Sequence, residues 1–264
     1  MEKIIAKNVN KKMFMNLIKQ MIVVDRYVTL RIGDEKTDST SYTPMHDVVK
    51  NMVIDNSALF ESIDEHKKPI RISFADGIKF NSIFNYFNDD EEFDLIIRCD
   101  DDDSSDELTA IQVTAKNDRL TRSGKCADPN FAQISITPLE DEKVDALFST
   151  DDSVFKFGIS TDMMMKIRPL TSIEKTIKKF IYKVSDGKLS ICERPDMEVE
   201  DDVVYDMKLD TLEDVDDCEY VCNKNIWQVM SLGDFDVDVC ESRVIYVNSS
   251  EENVVVRVVT AIVQ

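Results

Sequence analysis

IRISFADGIKFNSIFNYFNDD, residues 70–90, decides how the rest of this 264-residue chain reads. Ile70 to Ala75 alternates apolar and polar residues at the period of two that a half-buried strand requires. Asp76 then stands where a helix cap is needed, and Ile83, Phe84 and Phe87 make an apolar stripe at helical spacing. The predicted helix, Gly77 to Asn88, closes at the charge run Asp89 to Glu92. It carries Lys79 and no acid.

The same sentence is written elsewhere in the chain. NKKMFMNLIKQMI, residues 10–22, follows a short strand at Lys3 to Lys7 and begins on a capping asparagine. Its apolar residues Met13, Phe14, Leu17, Ile18, Met21 and Ile22 fall on one face, so Lys12, Asn16 and Lys19 fall on the other. Strands are expected at Tyr27 to Ile32 and Asp47 to Ile54, with Gly33 to Ser41 as a polar turn between them. Phe93 to Cys99 and Leu108 to Ala115 alternate as strands around the acidic turn Asp100 to Asp106. That turn lacks the glycine and terminal glutamate of a calcium loop and reads as solvated. Phe131 to Asp152, with Pro138 and the acidic patch Glu140 to Glu142, is expected to be extended.

Beyond it the order returns. Val154 to Ile159 is a strand and Thr161 to Arg168 a helix. KFIYKVSDGKLSICE is a hairpin turning at Asp186-Gly187. Further strands lie near Val203 to Leu209 and Glu219 to Cys222. A helix in NKNIWQVMSLG ends on Gly233, and a strand meander runs to the end of the sequence. Pro169 removes a backbone donor, so the third helix is expected to stop or kink there. The pattern, though not the letters, occurs twice, which is how a duplicated α+β unit looks in sequence.

Charge sharpens this reading. The chain has 32 Lys+Arg against 52 Asp+Glu, a net charge of -20. The stretches Asn10 to Val23, Gly77 to Asn88, Thr161 to Lys175 and Asn223 to Leu232, which contain the four helices, hold Lys11, Lys12, Lys19, Lys79, Lys166, Arg168, Lys175 and Lys224 against only Asp162 and Glu174. An acidic exterior repels nucleic acid at long range, so any contact with it must be local or enforced by topology. Gly and Pro number 6 each, which argues against long flexible linkers. No stretch approaches the ~18 apolar residues of a membrane span, and MEKIIAKN lacks the apolar core of a secretory signal. The expected setting is therefore cytoplasmic. The six cysteines form no framework, and Cys218 and Cys222 have no second ligand pair for zinc, so neither metal nor cofactor is expected.

Taken with TDMMMKIRPLTSI (161–173), VSDGKLSI (184–191) and NKNIWQVMSL (223–232), the two stretches quoted above resemble the sliding-clamp family of DNA polymerase processivity factors. The pattern is similar to the two-domain, trimeric clamps of T4-like phages and of the proliferating-cell-antigen type. The resemblance implies an α+β clamp fold, with one domain over 1–130, an interdomain connector over 131–152 and a second domain over 153–264. It implies a homotrimeric ring, phage-encoded and working in an infected host cell, around duplex DNA. Lys12, Lys19, Lys79, Lys166, Arg168 and Lys224 would face the phosphates without reading bases. DNA polymerase and clamp loader would dock on a hydrophobic pocket formed by Ile134, Ile136, Leu139, Leu232, Phe235, Val259, Ala261 and Ile262, with His46 at its border. Leu108 to Ala115 and Lys188 to Glu193 would be the edge strands that close the ring. Three rivals stand beside this reading. An enzyme would need a near-neutral base or phosphate loop, yet the histidines are only His46 and His66 and no such motif is present. A monomeric clamp-fold viral processivity subunit, or an acidic interaction protein that does not encircle DNA, would keep the acidic shell without closing a ring. An acidic DNA mimic would not need helices so poor in acid.

Overall fold

The computed structural model describes residues 1–88, 91–100, 105–127, 141–173, 179–194, 206–212, 214–249 and 251–263. Contacts divide these into two compact units. The first takes the described residues of 1–41, 51–139 and 252–255; the second takes those of 42–50, 140–251 and 256–264.

In the first unit β1 (Glu2–Lys7) leads through Asn8, at φ 47, into α1 (Lys11–Ile22). The Asn10 side chain accepts a hydrogen bond from the Met13 amide at 3.2 Å, satisfying one of the helix's orphan donors. β2 (Val28–Ile32), β3 (Lys36–Tyr42) and β4 (Val48–Asp55) follow. β3 corrects the expected polar turn at Gly33 to Ser41. Its inward residues Thr37, Ser39 and Ser41 are buried hydroxyls rather than hydrocarbons, which hides the alternation. Thr37 Oγ1 donates to Asn56 Oδ1 at 2.7 Å and Ser39 Oγ to the Thr29 carbonyl at 2.7 Å, so these two hydroxyls cost little to bury.

The chain then forms α2 (Asn56–Leu59), β5 (Ser62–Ile63), β6 (Ile70–Phe74) and α3 (Gly77–Asn81). A 3₁₀ turn at Phe84–Tyr86 precedes β7 (Asp94–Asp100), β8 (Leu108–Lys116) and β9 (Thr121–Lys125). The single helix expected over Gly77 to Asn88 is thus two short pieces. Ser82 Oγ donates to the Lys79 carbonyl at 2.6 Å, a local bond that competes with the helical ladder. Phe80, Phe84 and Phe87 are still all buried. Gly77 permits the close approach of α3 to α1: a Cβ there would lie 2.8 Å from Ile22 and 2.9 Å from Val28. Phe14, Leu17, Ile18 and Met21 of α1 are fully buried, each stabilising the fold by roughly 1.5–3 kcal/mol. The Phe14 ring meets Phe84 at 5.3 Å and Phe60 at 6.4 Å.

The second unit opens with α4 (Asp141–Leu147) and β10 (Ser153–Ile159). α4 corrects the extended conformation expected up to Asp152. Val144 and Phe148, four apart, bury one side of the turn, and the Arg257 guanidinium covers the Phe148 ring at 4.8 Å. α5 (Thr161–Ile173) runs through Pro169 instead of stopping at Arg168. The carbonyl that loses its donor belongs to Met165, and both Met165 and Pro169 are exposed, so water can take it. β11 (Lys179–Ser185) and β12 (Lys188–Arg194) form the expected hairpin, with Asp186 at φ 51 and Gly187 at φ 68. β13 (Asp206–Thr211), β14 (Cys218–Asn223) and α6 (Ile226–Val229) lead to the closing meander. That meander is β15 (Phe235–Cys240), β16 (Arg243–Asn248) and β17 (Val254–Ala261).

The strand orders of the two units match. The first has β4-β3-β2-β6 and β9-β8-β7-β1; the second has β13-β12-β11-β14 and β17-β16-β15-β10. The turn before each long helix is fixed alike. The Asn8 amide donates to Asp94 at 3.2 Å, and the Thr161 amide to Asp234 at 2.7 Å. The expected edge strands are corrected: β8 is paired with β7 on one side and with β6 and β9 on the other, and β12 lies between β11 and β13. Among the described residues β9 and β13 are paired on one side only, as are β5, β10 and β14.

Candidate functional site

α1 presents Lys12, Asn16 and Lys19 to solvent, one stripe opposite the buried Phe14, Leu17, Ile18 and Met21. Gln20 Nε2 reaches Asn16 Oδ1 at 3.5 Å, and Lys11 Nζ donates to the Phe87 carbonyl at 2.6 Å. Lys11 therefore ties α1 to the segment after α3. Lys79 is exposed on α3, its Nζ 4.0 Å from the Asp76 carboxylate. That carboxylate caps α3 by accepting from the Ile78 and Lys79 amides, each at 3.1 Å. The Lys79 amide bond holds the Asp76 carboxyl below its usual range, and the Arg26 charge adds to it. One acid near this face is thus already committed to the helix end.

In the second unit Lys166 is exposed on α5, whereas Arg168 turns inward. Its Nε donates to the Trp227 carbonyl at 3.1 Å and its Nη2 to the Met230 carbonyl. The guanidinium serves as a C-terminal cap for α6, whose four residues leave their last carbonyls without helical partners. Lys224 is half-buried in the turn before α6. Lys50, which sequence reading passed over, joins this cluster. It is 0 % exposed, and its Nζ donates to the Val229 carbonyl at 2.8 Å. Burial, with the Arg168 charge second, lowers its pKa to about 7. Nothing in a lysine between Val49 and Asn51 flags such burial beyond its place in an alternating strand.

The expected partner residues separate. Ile134, Ile136 and Leu139 lie outside the described residues. Val259 and Phe235 are buried, Phe235 at 2 % exposure, while Leu232 is 52 % exposed. Register parts them further. Val239 aligns with Val244, and Val244 with Thr260, so Phe235 sits four residues, roughly 13 Å, along β15 from the level of Thr260. Phe235 instead lines a cavity of about 460 Å³ with Met163, Asp234, Asp236 and Val247. Ala261 is exposed and Ile262 half-buried, its amide donating to the Ser242 carbonyl at 2.9 Å. Beside them Thr260 Oγ1 donates to the Asp47 carbonyl at 3.1 Å. That bond brings the β3–β4 hairpin tip to the end of β17. At the tip Met45 is 73 % exposed, and His46, at φ 57, packs its ring 4.4 Å from that of Tyr42.

Cys99, Cys222 and Cys240 are buried thiols; burial pushes Cys99 up to about 12, so it is inert as a nucleophile. No three His, Cys, Asp or Glu among the described residues gather as metal ligands. No described helix is long and apolar enough to cross a membrane.

No known family profile matches the sequence, and no curated protein matches it. Solved structures do match its fold. PCNA from Entamoeba histolytica superposes with a TM-score of 0.67 at 12% identity, over 99% of both chains. PCNA from A. fulgidus, bound to the C-terminal region of FEN-1, gives 0.65 at 12% identity, over 99% of this chain and 98% of that one. The PCNA2–PCNA3 complex from Sulfolobus tokodaii gives 0.64 at 14% identity, over 98% of both chains.

Proposed function

We propose that this chain, which has the fold of the PCNA sliding clamps, is itself a sliding clamp that encircles duplex DNA and tethers a replicative polymerase. The observation that carries this is the Lys12–Asn16–Lys19 stripe, an acid-free exposed face in a chain of net charge -20. Cations gathered on one face neutralise phosphates without sequence preference, which is what a protein that must move along DNA needs. Lys79 and Lys166 extend the set. Arg168 leaves it for a capping role, and Lys224 contributes charge from a half-buried position. The chain's own chemistry is binding, not catalysis.

The ring is proposed as a homotrimer closed head to tail through β9 of one copy and β13 of the next, since open strand edges pair. Partners are proposed to dock at Met45, His46, Ala261 and Ile262, an apolar patch to which the hairpin tip and the end of β17 both contribute. The C-terminal region of FEN-1 on A. fulgidus PCNA is the precedent for a tail peptide on this fold. The polymerase and clamp loader would present such tails. The resemblance to T4-like phage clamps supports a phage-encoded protein of the infected cell's cytoplasm.

Reversing Lys12, Lys19 and Lys166 to Glu tests the DNA-facing assignment. All three are exposed, so each should shift stability by only tenths of a kcal/mol. Binding to a labelled 30-base-pair duplex (about three helical turns) at low salt should be lost, whatever its sequence. Unchanged binding in the triple variant would overturn the assignment.

A further inference from the structure

β10 and β15 lie side by side in the second unit, with Lys156 opposite Asp238 and Gly158 opposite Asp236. Both pairs fall on one face of the sheet, because residues two apart along a strand share a face. Lys156 completes the first pair, its Nζ 2.7 Å from the Asp238 carboxylate, as opposite charges do across an antiparallel ladder. The second pair is only half made. Asp236 is exposed, and among the described residues it has neither an ion pair nor a side-chain hydrogen bond. Opposite it stands no side chain at all, and a Cβ on Gly158 would meet nothing within 4 Å.

That open space belongs to the cavity of about 460 Å³ where β10, β15 and β16 end together. Its lining joins the carboxylates of Asp234 and Asp236 to the hydrocarbon of Met163, Phe235 and Val247, and no cation lines it. Asp234 is fixed by the start of α5, its Oδ1 accepting from the Thr161 amide at 2.7 Å and the Thr161 hydroxyl at 2.8 Å. The amide bond first, then the hydroxyl bond, holds its carboxyl below the usual range, so its charge persists. Met163 and Val247 are half-buried, which leaves part of each side chain open to the cavity. A small hydrated cation gains nothing from that hydrocarbon. A Lys or Arg side chain, with an apolar stem under a charged head, uses both parts of the lining.

We infer that this cavity captures a basic side chain of a partner protein, seated over Gly158 with its charge on Asp236 and Asp234 and a neighbouring apolar residue against Met163 and Val247. The partner's cation takes, beside Asp236, the place that Lys156 takes beside Asp238. A chain of net charge -20 draws basic segments from a distance, and the half-made pair gives such a segment one register in which to stop. The site is separate from the patch at Met45, His46, Ala261 and Ile262. Strand register sets Phe235 roughly 13 Å from the level of Thr260, at the other end of the same sheet.

The test measures anisotropy of fluorescent peptides with the full-length protein. The probe is a short Gly/Ser peptide with Leu-Arg at its centre; one altered probe has citrulline for the arginine, another glycine for the leucine. The Leu-Arg probe should bind wild type, less tightly as salt rises, and each altered probe should bind several-fold more weakly. Asp236→Asn, at an exposed position, should lose the preference for arginine over citrulline. Gly158→Lys supplies from within the chain the cation that the partner brings, so it should lose the probe while keeping its melting temperature. Gly158→Ala, which adds one methyl group to open space, should bind as wild type does. Asp118→Asn, an exposed acid of the first unit, should change nothing. Equal binding of the arginine and citrulline probes, or a folded Gly158→Lys that binds like wild type, would overturn the inference. Equal binding of the leucine and glycine probes, with spermine displacing both, would leave a bare cation site and overturn the protein partner. No saturable binding of any probe would overturn it as well. The test contains no DNA, so its outcome is independent of whether the chain encircles it.

Discussion

Lys50 carries a consequence that can be measured. An ordinary lysine ionises near 10.5, and this one, fully buried against Val229, ionises at about 7. Between those values the unfolded chain holds a proton that the folded chain has released, so folding stability rises with pH across the window. A single proton contributes at most about 1.4 kcal/mol per pH unit. Above about 8.5 two desolvated thiols act in the other direction, because buried Cys99 and half-buried Cys126 stay protonated when folded, with pKa values pushed up to about 12. The clean interval is therefore pH 7 to 8.5. Wild type should gain stability there relative to Lys50→Met, in which the thiols cancel from the difference. Parallel stability curves for the two proteins over that interval would mean Lys50 is charged and compensated in the fold. Arg168 teaches the same lesson at this scale. As letters it is one more cation in a basic helix, and only the carbonyls left over by a four-residue α6 reveal that its charge is turned inward.

Elements were legible where burial used hydrocarbon and obscured where it used hydroxyls or tight packing. α1 could be read to within a residue at each end, because Phe14, Leu17, Ile18 and Met21 keep helical spacing beneath a capping asparagine. β3 could not, since Thr37, Ser39 and Ser41 look like a turn. β9, with its sequence TRSGK, has exposed residues at four of five positions and gives no alternation to read. That exposure is also what marks it as an edge. β9 is basic through Arg122 and Lys125, while β13 carries Asp206 and Asp210 beside Lys208. Arg122→Glu with Lys125→Glu should therefore weaken self-association, the more so at low salt, with folded content preserved. Arg122 also covers the Tyr86 ring at 4.1 Å, so a stability loss of about 0.5–1 kcal/mol is expected from that contact. An unchanged mass in sedimentation, at any salt, would remove β9 from the interface.

At the scale of the molecule, the duplication was visible as an order of elements without any repeat of letters. The structure gives it a physical basis: two matching strand orders, each with an aspartate fixing the turn into its long helix. What the sequence could not convey was which residues meet. Leu232 and Phe235 look apolar and near the last helix, yet the strand register sets Phe235 roughly 13 Å from the level of Thr260, where the hairpin tip arrives. The basic helices, by contrast, needed only their composition to be noticed, because a net charge of -20 makes an acid-free face conspicuous. Lining a ring around DNA, as proposed for these faces, needs more than one copy of a two-unit chain. Sedimentation equilibrium of the purified full-length chain addresses that claim most directly. A closed trimer gives a single species of about three times 30.3 kDa at micromolar concentration, dissociating only on dilution. A monomer that persists across the whole concentration range would contradict it.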